Sequence, residues 1–320
     1  MSYDPKIDPQ IVQMLEGGRK AGFKNVSTLS VAEAREQHLA ITAIRDAVKT
    51  RIGYVEDMSI DAGDHEVPVR IYKPYEYQQL GALPALLYFH GGGHTIGDIE
   101  THDQIVRNLC MLTDCVCISV DYRMGPEHVY PAASDDSYTA LKWASENADT
   151  LGIDINRIAV GGDSAGGNLA AVIALMAREN GGPEICFQLL LYPMLDLTCA
   201  SQSHKRYSRG YGVLDTATYN WFREHYFPDK STWTDWQASP LFADSHANLP
   251  PALVLLAELD LLHDEGVDYH HKLQASGVSS ELKVYPGMIH AFFNATHMVD
   301  GACAAQAYSA RALRKAFRTI

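Results

Sequence analysis

Residues 157–177 read RIAVGGDSAGGNLAAVIALMA, and the fold is decided there. A short β-prone run, RIAV, leads into the glycine-rich turn GGDSAGG at 161–167, and an Ala/Leu-rich helical stretch leaves it. Inside the turn lies a G-x-S-x-G pattern from Gly162 to Gly166, with Ser164 at its centre. A serine exposed on a sharp strand-to-helix turn needs glycine on either side, because side chains there would collide across the turn. The helix that follows directs free N–H groups and the positive end of its dipole at any anion formed beside the serine. Two other glycine-rich chemistries do not fit. A phosphate loop would carry Lys and then Ser or Thr after its last glycine, where this chain has Asn168 and Leu169. The G-x-G-x-x-G spacing of a dinucleotide turn is not matched either.

Working outward, the same strand-then-helix rhythm repeats. Apolar runs at 85–90, 115–122, 187–193, 252–260 and 281–287 alternate with helix-like stretches such as 135–152 and 166–182. Several runs are apolar almost throughout, which suits strands buried on both faces of a parallel sheet. The expected class is α/β: a mostly parallel central sheet with helices on both faces. VPVRIYKP (67–74) reads as an earlier strand in an antiparallel hairpin with YVEDMSI. Residues 1–50 look helical, and 200–240 are rich in aromatic and polar residues. Both are expected to form a helical cap over the carboxyl ends of the strands in a catalytic domain spanning 51–320. The alternative for 1–50 is packing on the back of the sheet.

The second chemical signal is HGGG at 90–93, directly after the strand ALLYF. Acyl transfer builds negative charge on a former carbonyl oxygen, and backbone N–H groups on a glycine turn can approach it unobstructed. Gly91, Gly92 and Ala165 are the expected donors. A base and its orienting acid must complete such a site. Composition cannot choose among fourteen histidines, but position can. In this architecture the order is Ser, acid, His. ALVLLAELD ends in Asp260 and ELKVYPGMIH ends in His290, each just past a strand. Rival acids are Glu258, expected within the strand, and Asp264 and Asp268, expected in the next helix. Rival bases are His263, His270, His271 and His297. The neighbours His270 and His271 diverge by about 100° on a helix, which suits a solvated face better than one metal ion.

These segments resemble the hormone-sensitive-lipase-like branch of the α/β-hydrolases. The resemblance is carried by HGGGHTIGD (90–98), DYRMGPEHVYPAA (121–133), GGDSAGGNLAA (161–171), LLYPMLD (190–196), ELDLLHDEG (258–266) and YPGMIHAFF (285–293), collinear over roughly 55–295. It implies the α/β-hydrolase fold, catalytic Ser164, Asp260 and His290, and an oxyanion hole from Gly91, Gly92 and Ala165. It implies a serine esterase of small, water-soluble acyl esters with no metal or organic cofactor. Amide, formamide or lactone hydrolysis by the same residues is the alternative. Non-catalytic hormone receptors on this scaffold lack the histidine that His290 supplies here. Homodimers through sheet edges or late helices occur in the family, and no motif decides this. The chain departs from the family pattern at His94, Leu261 and Ala291. Two readings stand for His94: it alters polarity beside the oxyanion hole, or it faces solvent.

Composition bounds the partners. The chain has 320 residues, 47% hydrophobic and 20% charged, as a globular protein would. A net charge of −13 without a dense Lys/Arg cluster argues against nucleic acid and against an anionic membrane surface. The polar N-terminal stretch MSYDPKIDPQ lacks the apolar run of a signal peptide, and a cytoplasmic location is expected. Cys115 and Cys117 lie two apart on a strand, sharing a face as small buried groups rather than ligands or bridges.

Overall fold

The computed structural model describes residue 4 and residues 6–318. The apolar runs all become strands of one eight-stranded sheet. They are β1 (Tyr54–Asp61), β2 (Glu66–Lys73), β3 (Leu83–Phe89), β4 (Val116–Val120), β5 (Ile153–Asp163), β6 (Phe187–Leu191), β7 (Ala252–Leu259) and β8 (Ser280–Ile289). The helices are α1 (Pro9–Lys20), α2 (Val31–Arg45), α3 (Ile99–Thr113), α4 (Ala132–Glu146), α5 (Ala148–Leu151), α6 (Ala165–Asn180), α7 (Gln202–Arg206), α8 (Thr216–Tyr226), α9 (His263–Ala275) and α10 (Asp300–Arg318).

The strand order is β1-β2-β4-β3-β5-β6-β7-β8. β1 and β2 form the expected antiparallel hairpin, and β2 joins β4 antiparallel. From β4 through β8 every pairing is parallel. After β3 the chain crosses to β4 on one side and then returns to β5 on the other. β3 and β5 are therefore neighbours at the point where the strand order reverses, and the crevice beyond their carboxyl ends is where such sheets bind ligands.

Strand faces explain why several runs are apolar almost throughout. Leu87 and Phe89 of β3 lie on the sheet face covered by α4, α6 and α9, in one cluster with Leu141, Leu169 and Leu273. Leu86 and Tyr88 face the other way, among Val106 of α3 and Leu313 of α10. Cys115 and Cys117 share that second face, their sulfurs 3.6 Å apart. α6 leaves Ser164 and ends at Gly181, whose φ of 57° is open to a residue with no Cβ. α2 starts at a reciprocal cap in which Ser30 and Glu33 satisfy each other's backbone N–H.

The sequence expectation of one helix over 135–152 is corrected. The chain leaves α4 at Asn147 and makes the separate single turn of α5. The two parts of residues 1–50 also behave differently. Ile7 and Ile11 pack in the cluster that holds α3 and α10, whereas α2 reaches the loop after β3 through Arg35. The segment between them is tied to 200–240, where Asn25 donates to Asp215 and accepts from Thr218. No helix among the described residues is long and apolar enough to cross a membrane.

Candidate active site

Ser164 closes the turn between β5 and α6 at φ 57°, ψ −115°, a conformation L-residues adopt at a cost of about 1–3 kcal/mol. Its surroundings hold it there. The Ser164 N–H donates to the Leu191 carbonyl at 2.9 Å, and its carbonyl accepts from Asn168 and Met194 at 3.0 and 3.1 Å. A Cβ at Gly162 or Gly166 would strike the Phe89 carbonyl of β3, so the glycines let the end of β3 approach this closely.

His290 Nε2 lies 2.9 Å from Ser164 Oγ, and His290 Nδ1 lies 2.7 Å from Asp260 Oδ2. The sheet arranges this pairing. Leu259 of β7 is in register with Ile289 of β8, so Asp260 and His290 each follow a paired residue by one position. The other Asp260 oxygen accepts from Leu262 N–H at 3.0 Å, which fixes the carboxylate. Tyr192, fully buried after β6 with φ 35°, sets its ring against the His290 imidazole at 4.9 Å.

The rival residues are otherwise engaged or lie outside. Glu258 accepts from Gly287 N–H, and Asp264 from Ser203 N–H. His263 pairs with Asp264, while Asp268, His271 and His297 are exposed. The solvated-face reading of His270 and His271 is corrected in part. His271 is exposed, but His270 is buried, with its Nδ1 2.8 Å from Ser280 Oγ. No group of three or more His, Cys, Asp or Glu side chains suited to a metal ion occurs among the described residues.

The loop after β3 corrects the expectation for Gly91. Its N–H donates to Asp163 Oδ1 at 3.0 Å, with His102 Nε2 at 3.3 Å, so it is not free for an oxyanion. The next two peptides are held the other way round, by their carbonyls. Gly91 C=O accepts from His90 Nδ1 at 2.8 Å, and Gly92 C=O accepts from Thr95 and Ile96 N–H at 3.1 and 3.0 Å. In a planar trans peptide the N–H points opposite to the C=O. The N–H groups of Gly92 and Gly93 thus face away from these anchors and have no acceptor among the described residues. Positive φ values of 115° and 61° at Gly92 and Gly93 make the turn possible. Ala165 N–H is the first of α6 and is likewise unclaimed. The free donors in this region are Gly92, Gly93 and Ala165.

Beneath the loop, Asp163 also accepts from Tyr88 hydroxyl at 2.8 Å and faces His102 at 3.4 Å. Burial pushes its carboxyl upward, but the His102 imidazole and Tyr88 hydroxyl outweigh this and hold it at about 2. His94 does not face solvent. It is buried, stacked on Tyr226 at 4.6 Å and edge-on to Phe227 at 5.6 Å.

A family model for the alpha/beta hydrolase fold matches residues 86–294. The chain belongs to the α/β-hydrolase family. Relatives agree over nearly the full length. An ethyl acetate hydrolase of Pseudomonas putida is 37% identical, covering 94% of this chain and 95% of its own. Carboxylesterase NlhH of Mycobacterium tuberculosis is 38% identical over 98% and 97%. The solved hyperthermophilic esterase of the archaeon Pyrobaculum calidifontis superposes with a TM-score of 0.92 at 39% identity, covering 97% of this chain and 98% of its own.

Among the features of this α/β-hydrolase that the sequence reading passed over, Gly93, Asp163 and Tyr192 stand out. Gly93 and Asp163 sit inside the quoted HGGG and GDSAG motifs, so a signal for each was present. Tyr192 sits in LLYP, but nothing in that string says its ring meets His290.

Proposed function

We propose that this α/β-hydrolase is a serine hydrolase of short- to medium-chain carboxylic esters. Ser164 is the nucleophile, His290 the general base and then acid, and Asp260 the group that orients His290. The carrying observation is the unbroken series Ser164 Oγ, His290 Nε2 at 2.9 Å, His290 Nδ1 and Asp260 Oδ2 at 2.7 Å. Asp260 accepts from Nδ1–H and leaves the Nε2 lone pair facing the serine hydroxyl. As Ser164 Oγ bonds to the ester carbon, His290 takes its proton and the carbonyl oxygen becomes anionic. Gly92, Gly93 and Ala165 N–H donate to that oxygen. Collapse expels the alcohol, which takes the proton from His290. Water, deprotonated by His290, then attacks the acyl-serine, and the acid leaves with Ser164 restored.

The ethyl acetate hydrolase and the carboxylesterase among the relatives support ester chemistry, and the first is named for a small acyl ester. Residues 1–50 and 200–240 act together as a cap in this reading. The Asn25 bonds to Asp215 and Thr218 support that, as does Phe222 of α8, which packs where a side chain on Gly93 would stand.

Hydrolysis of p-nitrophenyl esters tests the assignment. Acetyl to octanoyl esters should turn over faster than palmitoyl, and Ser164→Ala should lower kcat by about 10⁴–10⁶-fold. A fluorophosphonate should label Ser164 in the wild type. Unchanged turnover in Ser164→Ala, or labelling elsewhere, would overturn it.

A further inference from the structure

The two glycine donors are anchored differently. Gly92 N–H shares its peptide with Gly91 C=O, which is held by His90 from within the same loop. Gly93 N–H shares its peptide with Gly92 C=O, which accepts from Ile96 N–H. Ile96 N–H in turn shares its peptide with Thr95 C=O, and that carbonyl accepts from Arg35 Nε–H at 2.9 Å. Arg35 belongs to α2, sixty residues away in the chain. The donor bonds all run in one direction, from the guanidinium through two peptides to the Gly93 N–H.

We propose that Arg35 is a positioning residue for the oxyanion hole, acting through this relay to aim and polarise the Gly93 N–H. The proposal rests on the ester-hydrolase reading above. A cationic donor draws electron density from Thr95 C=O, which makes Ile96 N–H a stronger donor to Gly92 C=O. That in turn strengthens Gly93 N–H where negative charge develops. Hydrogen bonds in series reinforce one another in this way, and the charged first donor makes the effect larger.

The rest of the guanidinium is fixed so that Nε keeps its aim. Nη1 and Nη2 fork onto the two Glu127 oxygens at 2.7 and 2.8 Å, and Nη2 also donates to Gly125 C=O at 2.9 Å. Gly125 N–H returns to the loop by donating to His94 C=O at 2.9 Å. Arg35 therefore grips the loop at adjacent residues, His94 through Gly125 and Thr95 directly. The Arg35 guanidinium beside Glu127 holds that carboxyl well down, at about 2, so the Glu127 side of the fork is a carboxylate at neutral pH.

The test compares kcat, KM and inhibition by an aryl trifluoromethyl ketone, which adds Ser164 to form a tetrahedral oxyanion. Arg35→Met should lower kcat by about tenfold, less than the loss of a whole donor, with KM within about twofold. The ketone's Ki should rise by the same factor as kcat falls. Arg35→Lys, which keeps a charged donor, should recover part of both losses and serves if Arg35→Met does not fold. Ser30→Ala loosens the start of α2 without touching the relay, and should lower Tm while leaving kcat and Ki alone. Wild-type activity in the same assay separates this proposal from the ester-hydrolase reading. With the wild type active, any of three results overturns the relay. These are unchanged kcat in the Arg35 variants, lower kcat without a matching rise in Ki, and the same kcat loss in Ser30→Ala.

Discussion

A buried imidazole whose nitrogens are both unpaired is costly, and His94 is one. Neither of its ring nitrogens has a hydrogen-bond partner among the described residues, and its neighbours are the rings of Tyr122, Tyr226 and Phe227. Leaving such a group unpaired costs about 1–3 kcal/mol. Burial, with His90 nearby, pushes its pKa down to about 3, and burial pushes His90 down to about 4. In the unfolded chain both return to about 6.5. Below that value the unfolded chain binds protons that the folded one refuses, so acid favours unfolding. The proton-linked penalty of burying these rings is absent above about 6.5 and grows as pH falls toward their folded values. His94→Phe should raise Tm at pH 7 and flatten its decline between pH 7 and 5, as read by thermal melts. A lower Tm for the variant at both pH values would contradict this. At this scale the sequence told residue type but not which atom is free. HGGG announces a donor loop, and its sequence points to Gly91 and Gly92 rather than Gly93, but Asp163 takes the Gly91 N–H. That contact joins residues 72 apart, which no local pattern records.

Among elements, α7 docks on α9 through a buried pair. His204 Nε2 lies 3.1 Å from Glu265 Oε2, and Glu265 Oε1 accepts from Leu195 N–H at 2.7 Å. The sequence placed α7 in the expected cap segment, and Glu265 is the third residue of α9, which starts after the two loop residues Leu261 and Leu262 that follow Asp260. The pair thus ties the 200–240 segment to the helix that follows Asp260. Removing one partner strands the other in a dry interior, at about 3–5 kcal/mol, whereas replacing both with apolar groups costs much less. Urea unfolding of Glu265→Ala, and of the double variant Glu265→Leu with His204→Leu, measures this difference. Equal losses in the two would mean that packing, not the stranded charge, sets the cost. Elements were the most legible level. Burial on both faces made β3, β4, β6 and β7 stand out as nearly continuous apolar runs, and Gly181 marked the end of α6. The break at Asn147 carries no proline or glycine, so one helix was read where the chain makes two. The divergence of His270 and His271 argues against a shared metal ion but does not say which of them is covered, and the surface His270 meets, Ser280 of β8, comes from a later strand.

For the whole molecule, a net charge of −13 sets a field that a neutral ester does not feel. A half-ester carrying a carboxylate should show a KM that falls as salt rises from about 10 mM to about 0.3 M, where the screening length shrinks to several ångströms. The matched neutral ester should show no such trend, and identical salt responses would argue that the acidic surface lies away from the mouth of the site. Strand order was not legible in the sequence, because alternation reveals a parallel sheet but not which strand lies beside which. That order makes the ends of β3 and β5 neighbours, and so brings Asp163 under the loop. Asp163 is joined covalently to Ser164 and holds Gly91 by a hydrogen bond. Ser164 and the HGGG loop are thus tied to a single aspartate. A displacement of the β5 end carries both in the same direction, and the gap between them varies less than the position of either. It follows that the HGGG loop is not a portable module: a graft into another scaffold would need the aspartate before the serine to travel with it.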